Sequence, residues 1–192
     1  MSEVTIHPVE LACGPVRLRE FAASDLDRVH ALVGDDAVAH TLSFDTRSRQ
    51  QAESMLTGVL DRARHHPRTE YYLAICRNSD GLLVGFVRLG LGDVRAAKLG
   101  YAVHREHWRQ GYAHHASRMM IDFGFQKLGL HRISAAVGPD NTASLTGLDK
   151  HGFTFEGRIR DHVFTNGAWR DSLLYSLLEP EWASSTAVSR ES

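Results

Sequence analysis

The segment 108–116 has the composition of an anion-binding turn. It follows an apolar stretch, 99–103, that is typical of a strand, and it leads into an amphipathic stretch that is typical of a helix. The first N–H groups of a helix have no acceptor within the helix, and the helix dipole adds partial positive charge there. Gly111 and Ala113 carry little or no side chain, so that a phosphate can approach the main chain. The sequence therefore predicts that this turn holds the pyrophosphate of a nucleotide-type cofactor.

The overall composition indicates one globular domain without a strong charge bias. The chain has 192 residues, with 22 basic and 23 acidic side chains and a net charge of −1. Because no run of Lys and Arg stands out, neither nucleic acid nor an anionic membrane is expected as a partner. No apolar stretch approaches the ~20 residues that span a bilayer. The first ten residues lack the apolar core of a signal peptide, so a cytoplasmic location is expected.

The cysteines and histidines do not predict a metal site or a disulfide framework. Cys13 and Cys76 are too few and too far apart for either, and reduced thiols are expected. His114 and His115 are adjacent on the predicted helix and therefore diverge, and none of the twelve histidines has the helical i, i+4 spacing and partners of a zinc site.

Hydrophobic periodicity predicts the element order β-α-α-β-β-β-α-β-α-β-β. Ser48 and Gln51 have the spacing of a capping box before a helix, and Asn141 is placed to cap another. The segment 37–45 has no clear period. This order predicts a single α/β domain over residues 1–182, with a mixed central sheet of about seven strands flanked by about four helices. Residues 183–192 are expected to form a disordered tail.

Several short segments, in this order, resemble the GNAT superfamily of acyl-CoA-dependent N-acyltransferases, specifically its RimJ/RimL-like branch. They are residues 99–103, 108–113, 130–133, 141–144, 150–153, 155–157 and 166–171. The resemblance covers roughly residues 16–182. Each segment is weak evidence alone, whereas the ordered set is specific.

The resemblance implies that acetyl-CoA is the co-substrate. The family's cofactor loop reads Gln/Arg-x-x-Gly-x-Gly/Ala, and this chain departs from it in having Trp108 at the Gln/Arg position. By resemblance, loop amides hold the diphosphate, the main chain at the end of the preceding strand pairs with the pantetheine arm, and an asparagine side chain binds that arm from its other side. The residues assigned in this way are Val103, His104, Arg109, Gln110, Gly111, Tyr112, Ala113, His114 and Asn141.

Transfer of an acetyl group to an amine by direct attack needs a neutral amine, an oxyanion donor and a proton for the departing thiolate. A free Lys amine titrates near ~10 and a protein N-terminus near ~8, so a base or proton wire must assist. A backbone N–H near Val103 is expected to stabilise the oxyanion. Ser144, from its place in Asn-x-x-Ser, is the candidate proton donor. The alternative is that Ser144 only fills the first turn of a helix.

The candidate base is His162. Some ribosomal-type members have a glutamate shortly before the Asn-Gly turn, and Val163 occupies that place here. An imidazole can accept a proton near neutral pH. Asp161 and Glu156 are alternatives that would act through water, and each of the three residues can equally be a solvated strand residue.

Three functions remain open from the sequence. The chain can acetylate a protein α-amine, acetylate a small amine such as an antibiotic, a polyamine or an amino-acid derivative, or bind acyl-CoA without catalysis and regulate a partner. The segments 37–45 and 161–166 are expected to line the acceptor pocket, and their few carboxylates do not form the dense cluster that a polycation favours. A homodimer is expected, because two-fold dimers are the commonest assemblies.

Overall fold

The computed structural model describes residues 7–92 and 94–188. The strands are β1 (Glu10–Cys13), β2 (Val16–Glu20), β3 (Glu70–Arg77), β4 (Leu83–Leu91), β5 (Ala96–Val103), β6 (Arg132–Val137), β7 (Thr154–Thr165) and β8 (Ala168–Leu178). The helices are α1 (Leu26–Val33), α2 (Asp36–Ala39), α3 (Arg49–Ala63), α4 (Tyr112–Gln126), α5 (Thr142–Lys150) and α6 (Glu179–Val188).

The strands form one sheet in the order β1-β2-β3-β4-β5-β6-β8-β7. Every neighbouring pair is antiparallel except β5 and β6, which are parallel. The predicted mixed sheet in a single α/β domain is confirmed. The sequence did not predict β1, whose four residues are mostly exposed, or the one-turn helix α2, which Asp35 caps and which overlaps the start of the segment 37–45.

Helix α6 runs through Val188, into the segment 183–192 that was expected to be a disordered tail. Residues 189–192 lie outside the described part of the chain.

Two apolar clusters lie on opposite faces of the sheet. Helix α4 packs on one face, and α1 and α3 pack on the other. Strands β3 and β4 are buried on both faces, which explains why they read as nearly continuous apolar runs. On β5 the odd-numbered residues Leu99, Tyr101 and Val103 face the α4 side, whereas Ala102 faces α1 and α3.

Strands β5 and β6 part after three paired residues. They are in register only from Ala96 opposite Arg132 to Lys98 opposite Ser134. Beyond this point β5 remains paired with β4, and β6 remains paired with β8. The sheet therefore opens into a V between β5 and β6.

The hairpin of β7 and β8 is longer than predicted. The apolar pattern of the sequence predicts strands over 153–159 and 172–178, joined by a longer connection that contains the Asn166-Gly167 turn, whereas the structure continues both strands to a tight turn at Asn166 and Gly167. Both turn residues have positive φ (51° and 71°), as a two-residue hairpin turn requires. The prediction failed because register shifts, including one between Ile159 and Val163, interrupt the alternation by which a strand is recognised.

Gly85 is a site where the close approach of β4 and β5 excludes a side chain. A Cβ there would lie 2.2 Å from the Ala102 carbonyl oxygen and 2.9 Å from Val103 Cα. We predict that Gly85→Ala lowers the free energy of unfolding by at least ~2 kcal/mol, because the clash is with main chain that cannot rotate away. Urea unfolding measures this. The matched control is Gly100→Ala on β5, where a Cβ meets nothing within 4 Å; equal losses in both variants would contradict the steric explanation.

Candidate active site

The free edge of β5 presents main-chain groups to the open V. The His104 N–H bonds the Val84 carbonyl on the β4 side (2.8 Å), whereas the Ala97 carbonyl lies near Ser134 on the β6 side (3.4 Å). Main-chain groups alternate in direction along a strand, so those of Tyr101 and Val103 also point toward β6. Because β6 has diverged there, the Tyr101 main chain and the Val103 N–H have no strand partner. An extended ligand can pair with this edge as an added strand.

The N-terminus of α4 lies immediately beyond this edge. The chain enters the helix through Arg109 and Gly111, both in the left-handed conformation (φ 62° and 79°). Among the described hydrogen bonds, the His115 N–H bonds the Gly111 carbonyl (3.1 Å), and none is donated by the amides of residues 109–114. A non-glycine residue in this conformation stores strain that is common at ligand sites. The geometry of an anion-binding helix start, expected from the sequence, is present.

Two side-chain contacts anchor this loop to the sheet and to α1. The Trp108 indole N–H donates to the Val103 carbonyl (2.8 Å), and Arg28 of α1 pairs with Glu106 (3.0 Å). Trp108 thus closes the end of β5, which gives it a structural role at the position where the family pattern has Gln or Arg. The His104 main chain already has partners within the protein, because its N–H bonds Val84 and its carbonyl accepts from the His107 N–H (2.8 Å). Its pairing with a pantetheine arm stays a prediction.

Across the V, α5 carries the polar side chains that face the edge of β5. The Asn141 side-chain oxygen accepts from the Ser144 N–H (3.2 Å) and caps the helix, as predicted. Its amide NH₂ has no acceptor among the described hydrogen bonds, so it remains a donor for a ligand. The Tyr101 hydroxyl reaches α5, where a Cβ on Gly147 would lie 3.3 Å from its oxygen. Burial raises the pKa of Tyr101, and nearby Ser144 partly offsets this rise. Sequence analysis missed Tyr101 as a residue of this site, since nothing in the chain spacing shows that it reaches α5.

A stacked pair of imidazoles joins α4 to the end of α5. The rings of His114 and His151 lie 4.5 Å apart and nearly parallel (3°). The Ser117 hydroxyl lies 2.7 Å from both the Ala113 carbonyl and His151 Nε2. The carbonyl can only accept, so the single hydroxyl proton of Ser117 is donated to it. The Ser117 oxygen must then accept from His151 Nε2, and we therefore assign the Nε2–H tautomer to His151. His151 was also missed by the sequence analysis, although it lies in a segment that carries the family resemblance.

The candidate bases lie on the other face of the sheet from Ser144. Tyr175 packs against the α4-side core, so Ser172 on the same strand faces the opposite side by alternation. His162 Nδ1 contacts the Ser172 hydroxyl (3.0 Å), which places His162 on that opposite face. Arg132 and then Ser176 lower the pKa of Glu156 to about 2, which makes this carboxylate a poor proton acceptor. The described structure contains no direct contact between Ser144 and His162.

The two segments expected to line an acceptor pocket do meet. The Asn166 N–H donates to the Asp45 carboxylate (2.7 Å), and the Arg170 guanidinium donates to the His40 carbonyl (3.3 Å). The rings of Phe164 and Trp169 stand at the tip of the same hairpin, 5.3 Å apart and mostly exposed. The hairpin and the α2 region therefore form one wall beside the V, on the His162 face.

Within the described residues, no group of three or more His, Cys, Asp or Glu side chains is arranged to hold a metal ion. No helix among them is both long and apolar enough to span a membrane.

Comparison with known proteins agrees with this geometry. A family model described as an acetyltransferase (GNAT) domain matches residues 16–154. The probable N-acetyltransferase YjcK of Bacillus subtilis is 37% identical over 115 residues. These residues are 58% of this chain and 64% of YjcK, so this chain matches less than two thirds of that protein. The uncharacterized N-acetyltransferase YoaA of the same species is 32% identical over 85% of this chain and 93% of its own. The structure of Mycobacterium smegmatis RimJ in complex with CoA-disulfide superposes with a TM-score of 0.76 and 28% identity, over 91% of this chain and 90% of RimJ.

More distant relatives differ in the acceptor that their names give. The spermidine N(1)-acetyltransferase of Escherichia coli is 24% identical over 87% of this chain and 88% of its own. The [ribosomal protein uS5]-alanine N-acetyltransferase of the same species is 27% identical over 62% of each chain.

The buried imidazole of His151 makes stability depend on pH. Burial, and then the neighbouring His114 and Arg118, lower its pKa from 6.5 to about 4. Between these values the unfolded chain binds a proton that the folded chain does not, so stability falls as the pH falls from about 6.5 to 4. The wild type should lose more free energy of unfolding between pH 7 and pH 5 than the variant His151→Gln loses. We predict that the two losses differ by about 1–2 kcal/mol.

Urea unfolding at pH 7, 6 and 5 measures this difference. His65→Gln, at an exposed loop histidine, is the control and should follow the wild type. His104 is also buried, and its pKa is likewise lowered to about 4, so part of the pH dependence should persist in His151→Gln. Parallel curves for the wild type and His151→Gln would refute the linkage.

Proposed function

We propose that this chain, which belongs to the acetyltransferase (GNAT) family, transfers an acetyl group from acetyl-CoA to the α-amine of a protein N-terminus by direct attack. The observation that carries the proposal is the V between β5 and β6, with the uncapped amides of α4 at its end. The V suits an extended pantetheine arm, and the uncapped amides of α4 suit a diphosphate.

The donor side of the reaction assigns roles to individual residues. The diphosphate would be held by the main-chain amides of Arg109, Gln110, Gly111, Tyr112, Ala113 and His114. The free main-chain edge near Val103 and the Asn141 amide would bind the pantetheine arm from either side. The RimJ structure with CoA-disulfide supports a coenzyme A ligand for this fold.

The reaction would use a hydrogen-bond donor and a proton donor on one face of the sheet, and a proton acceptor on the other face. The Val103 N–H points into the V, where it would stabilise the oxyanion of the tetrahedral intermediate. Ser144 would protonate the departing thiolate. On the opposite face, His162 would take the proton that the attacking amine loses, with its Nδ1 contact to Ser172 fixing the ring.

The charges beside the V favour a single amine over a polyamine as acceptor. Asp45 is occupied by the Asn166 N–H, Asp36 by the Thr46 hydroxyl, and Asp35 caps α2. Arg170 adds positive charge to the same wall. A polycation favours a dense cluster of carboxylates, and these carboxylates are few and separately bonded. An N-terminal peptide needs one amine site and a surface for its first side chains. The exposed aromatic rings at the hairpin tip provide such a surface.

The first prediction for this function concerns the diphosphate site. Gly111→Asp places a carboxylate where the diphosphate is expected, and we predict at least a ~100-fold loss of acetyl-CoA affinity by titration calorimetry. Gly129→Asp is the matched control, because Gly129 also has positive φ (63°), follows the other end of α4 and has open space around its Cβ. Gly111→Asn separates charge from backbone strain. Unchanged affinity in a folded Gly111→Asp protein would place the cofactor elsewhere.

The second prediction concerns the acceptor. Thiol release from acetyl-CoA is measured with peptides bearing a free N-terminus, the same peptides with a blocked N-terminus, and spermidine. We expect kcat/KM for the free peptides to exceed that for spermidine at least ~10-fold, about 1.4 kcal/mol of transition-state binding, and the blocked peptides to be inert. Preference for spermidine would favour the small-amine alternative. Tight binding of acetyl-CoA without thiol release from any amine would favour a regulatory module.

A further inference from the structure

Gly100 lies on the part of β5 that has no β6 partner, two residues beyond Lys98, where that pairing ends. It shares a face of the sheet with Ala102, so a side chain at this position would point to the α1 and α3 side. This is the face on which His162 lies. Gly100 is exposed, and a Cβ built there meets no atom within 4 Å.

The fold itself does not require a glycine at this position. The φ of Gly100 lies outside the left-handed region, so any residue can adopt its backbone conformation. Gly85 on β4 differs, because a Cβ there would lie 2.2 Å from the Ala102 carbonyl oxygen. A glycine inside a strand has no side chain to pack and weakens the strand. Where the fold gives no reason for it, such a glycine indicates that a ligand approaches the main chain closely.

The neighbouring side chains leave the space over Gly100 open. Arg88 lies opposite Gly100 in register on β4. Its Nε donates to Glu70 Oε2 (2.6 Å), and its guanidinium lies beside Gly90, where a Cβ would be 3.1 Å from Arg88 Nη2. Ala102, by contrast, is buried in the cluster under α1 and α3. Counting back from the end of β5, Gly100 is therefore the first residue on this face that is exposed.

We propose that Gly100 is a specificity-determining residue, over which the second residue of the acceptor peptide lies while the N-terminal amine attacks the thioester. This inference rests on the proposed function, in which the Val103 N–H binds the oxyanion. An oxyanion lies about 3 Å from its donor. Gly100 precedes Val103 by three strand residues, which span about 10 Å. The first residue of an extended peptide covers about 3.5 Å, so its second residue reaches the space over Gly100.

This placement makes residue 100 a steric selector among acceptors. Glycine at position 100 admits a large side chain at the second position of the acceptor, and a larger residue at position 100 excludes it. An acceptor whose second residue is glycine, or which has no second residue, leaves that space empty and is little affected by residue 100. The room over Gly100 thus determines which N-termini are acetylated, and it has no part in binding acetyl-CoA.

The test compares Gly100→Val with the wild type on three acceptors. Two are peptides that are identical except for leucine or glycine at the second position, and the third is the amide of their first amino acid. We expect Gly100→Val to lower kcat/KM for the leucine peptide at least ~30-fold, and for the other two acceptors less than ~3-fold. Gly100→Ala should give an intermediate loss. Titration calorimetry on the complex with coenzyme A should show a weaker Kd for the leucine peptide, which is a readout independent of turnover.

Two measurements separate this role from a structural one and from a role in the donor site. The free energy of unfolding of Gly100→Val should equal or exceed that of the wild type, because valine favours a strand. The Kd of acetyl-CoA should change less than 2-fold. Ala12→Val is the matched control, since it adds the same bulk at an exposed position of the edge strand β1, and it should keep wild-type kcat/KM for all three acceptors.

The outcomes distinguish this inference from the function on which it rests. Absence of thiol release by the wild type with every peptide refutes the proposed function and this inference together. Turnover of the peptides by the wild type, with losses in Gly100→Val that are equal for the leucine and glycine peptides or absent from both, refutes this inference alone. An unchanged Kd for the leucine peptide, a destabilised Gly100→Val or a weakened Kd of acetyl-CoA also overturns it.

Discussion

The divergence of β5 and β6 after Lys98 is the constraint on which the rest of the site depends. A strand in the interior of a sheet normally has partners on both sides, and an unpaired buried N–H or carbonyl costs free energy. Here β5 keeps one partner, β4, and presents its other edge to a gap. Gly85 allows β4 to approach β5 closely enough to hold that exposed strand in place. The gap is consequently an opening in the sheet, with unpaired main-chain groups of β5 along one side.

The same divergence determines where the charged end of α4 lies. The chain leaves β5 at the mouth of the V and enters α4 after a short loop, so the free amides at the start of α4 follow the free groups of β5 along the chain. Trp108 and the Arg28–Glu106 pair hold the intervening loop to the sheet and to α1. A ligand with an extended arm and an anionic end matches this continuous surface, and an acyl-CoA has both.

In the proposed reaction, the two faces of the sheet carry different groups. On the α4 face, the Tyr101 hydroxyl of β5 reaches α5 beside Gly147, and the stacked rings of His114 and His151 join α4 to the end of α5. On the other face, His162 lies by the wall formed by the β7–β8 hairpin and the α2 region. A reaction between a bound thioester and an incoming amine needs this separation, because the two substrates must approach one carbon from different directions.

The sequence by itself determined the order of the strands from β2 to β8 with α1, α3, α4 and α5 between them, the small-residue turn before α4 and the caps of α3 and α5. These features depend on residues a few positions apart and on hydrophobic period. The sequence did not determine the ends of β7 and β8, where shifts in register hide the alternation. Nor did it reveal that the His104 main chain is already bonded, or that the Tyr101 hydroxyl reaches α5. Those facts depend on contacts between elements distant in the chain, and only the tertiary structure brings β5, α5 and the V together. A pattern within one segment cannot show which other segment its free groups will face.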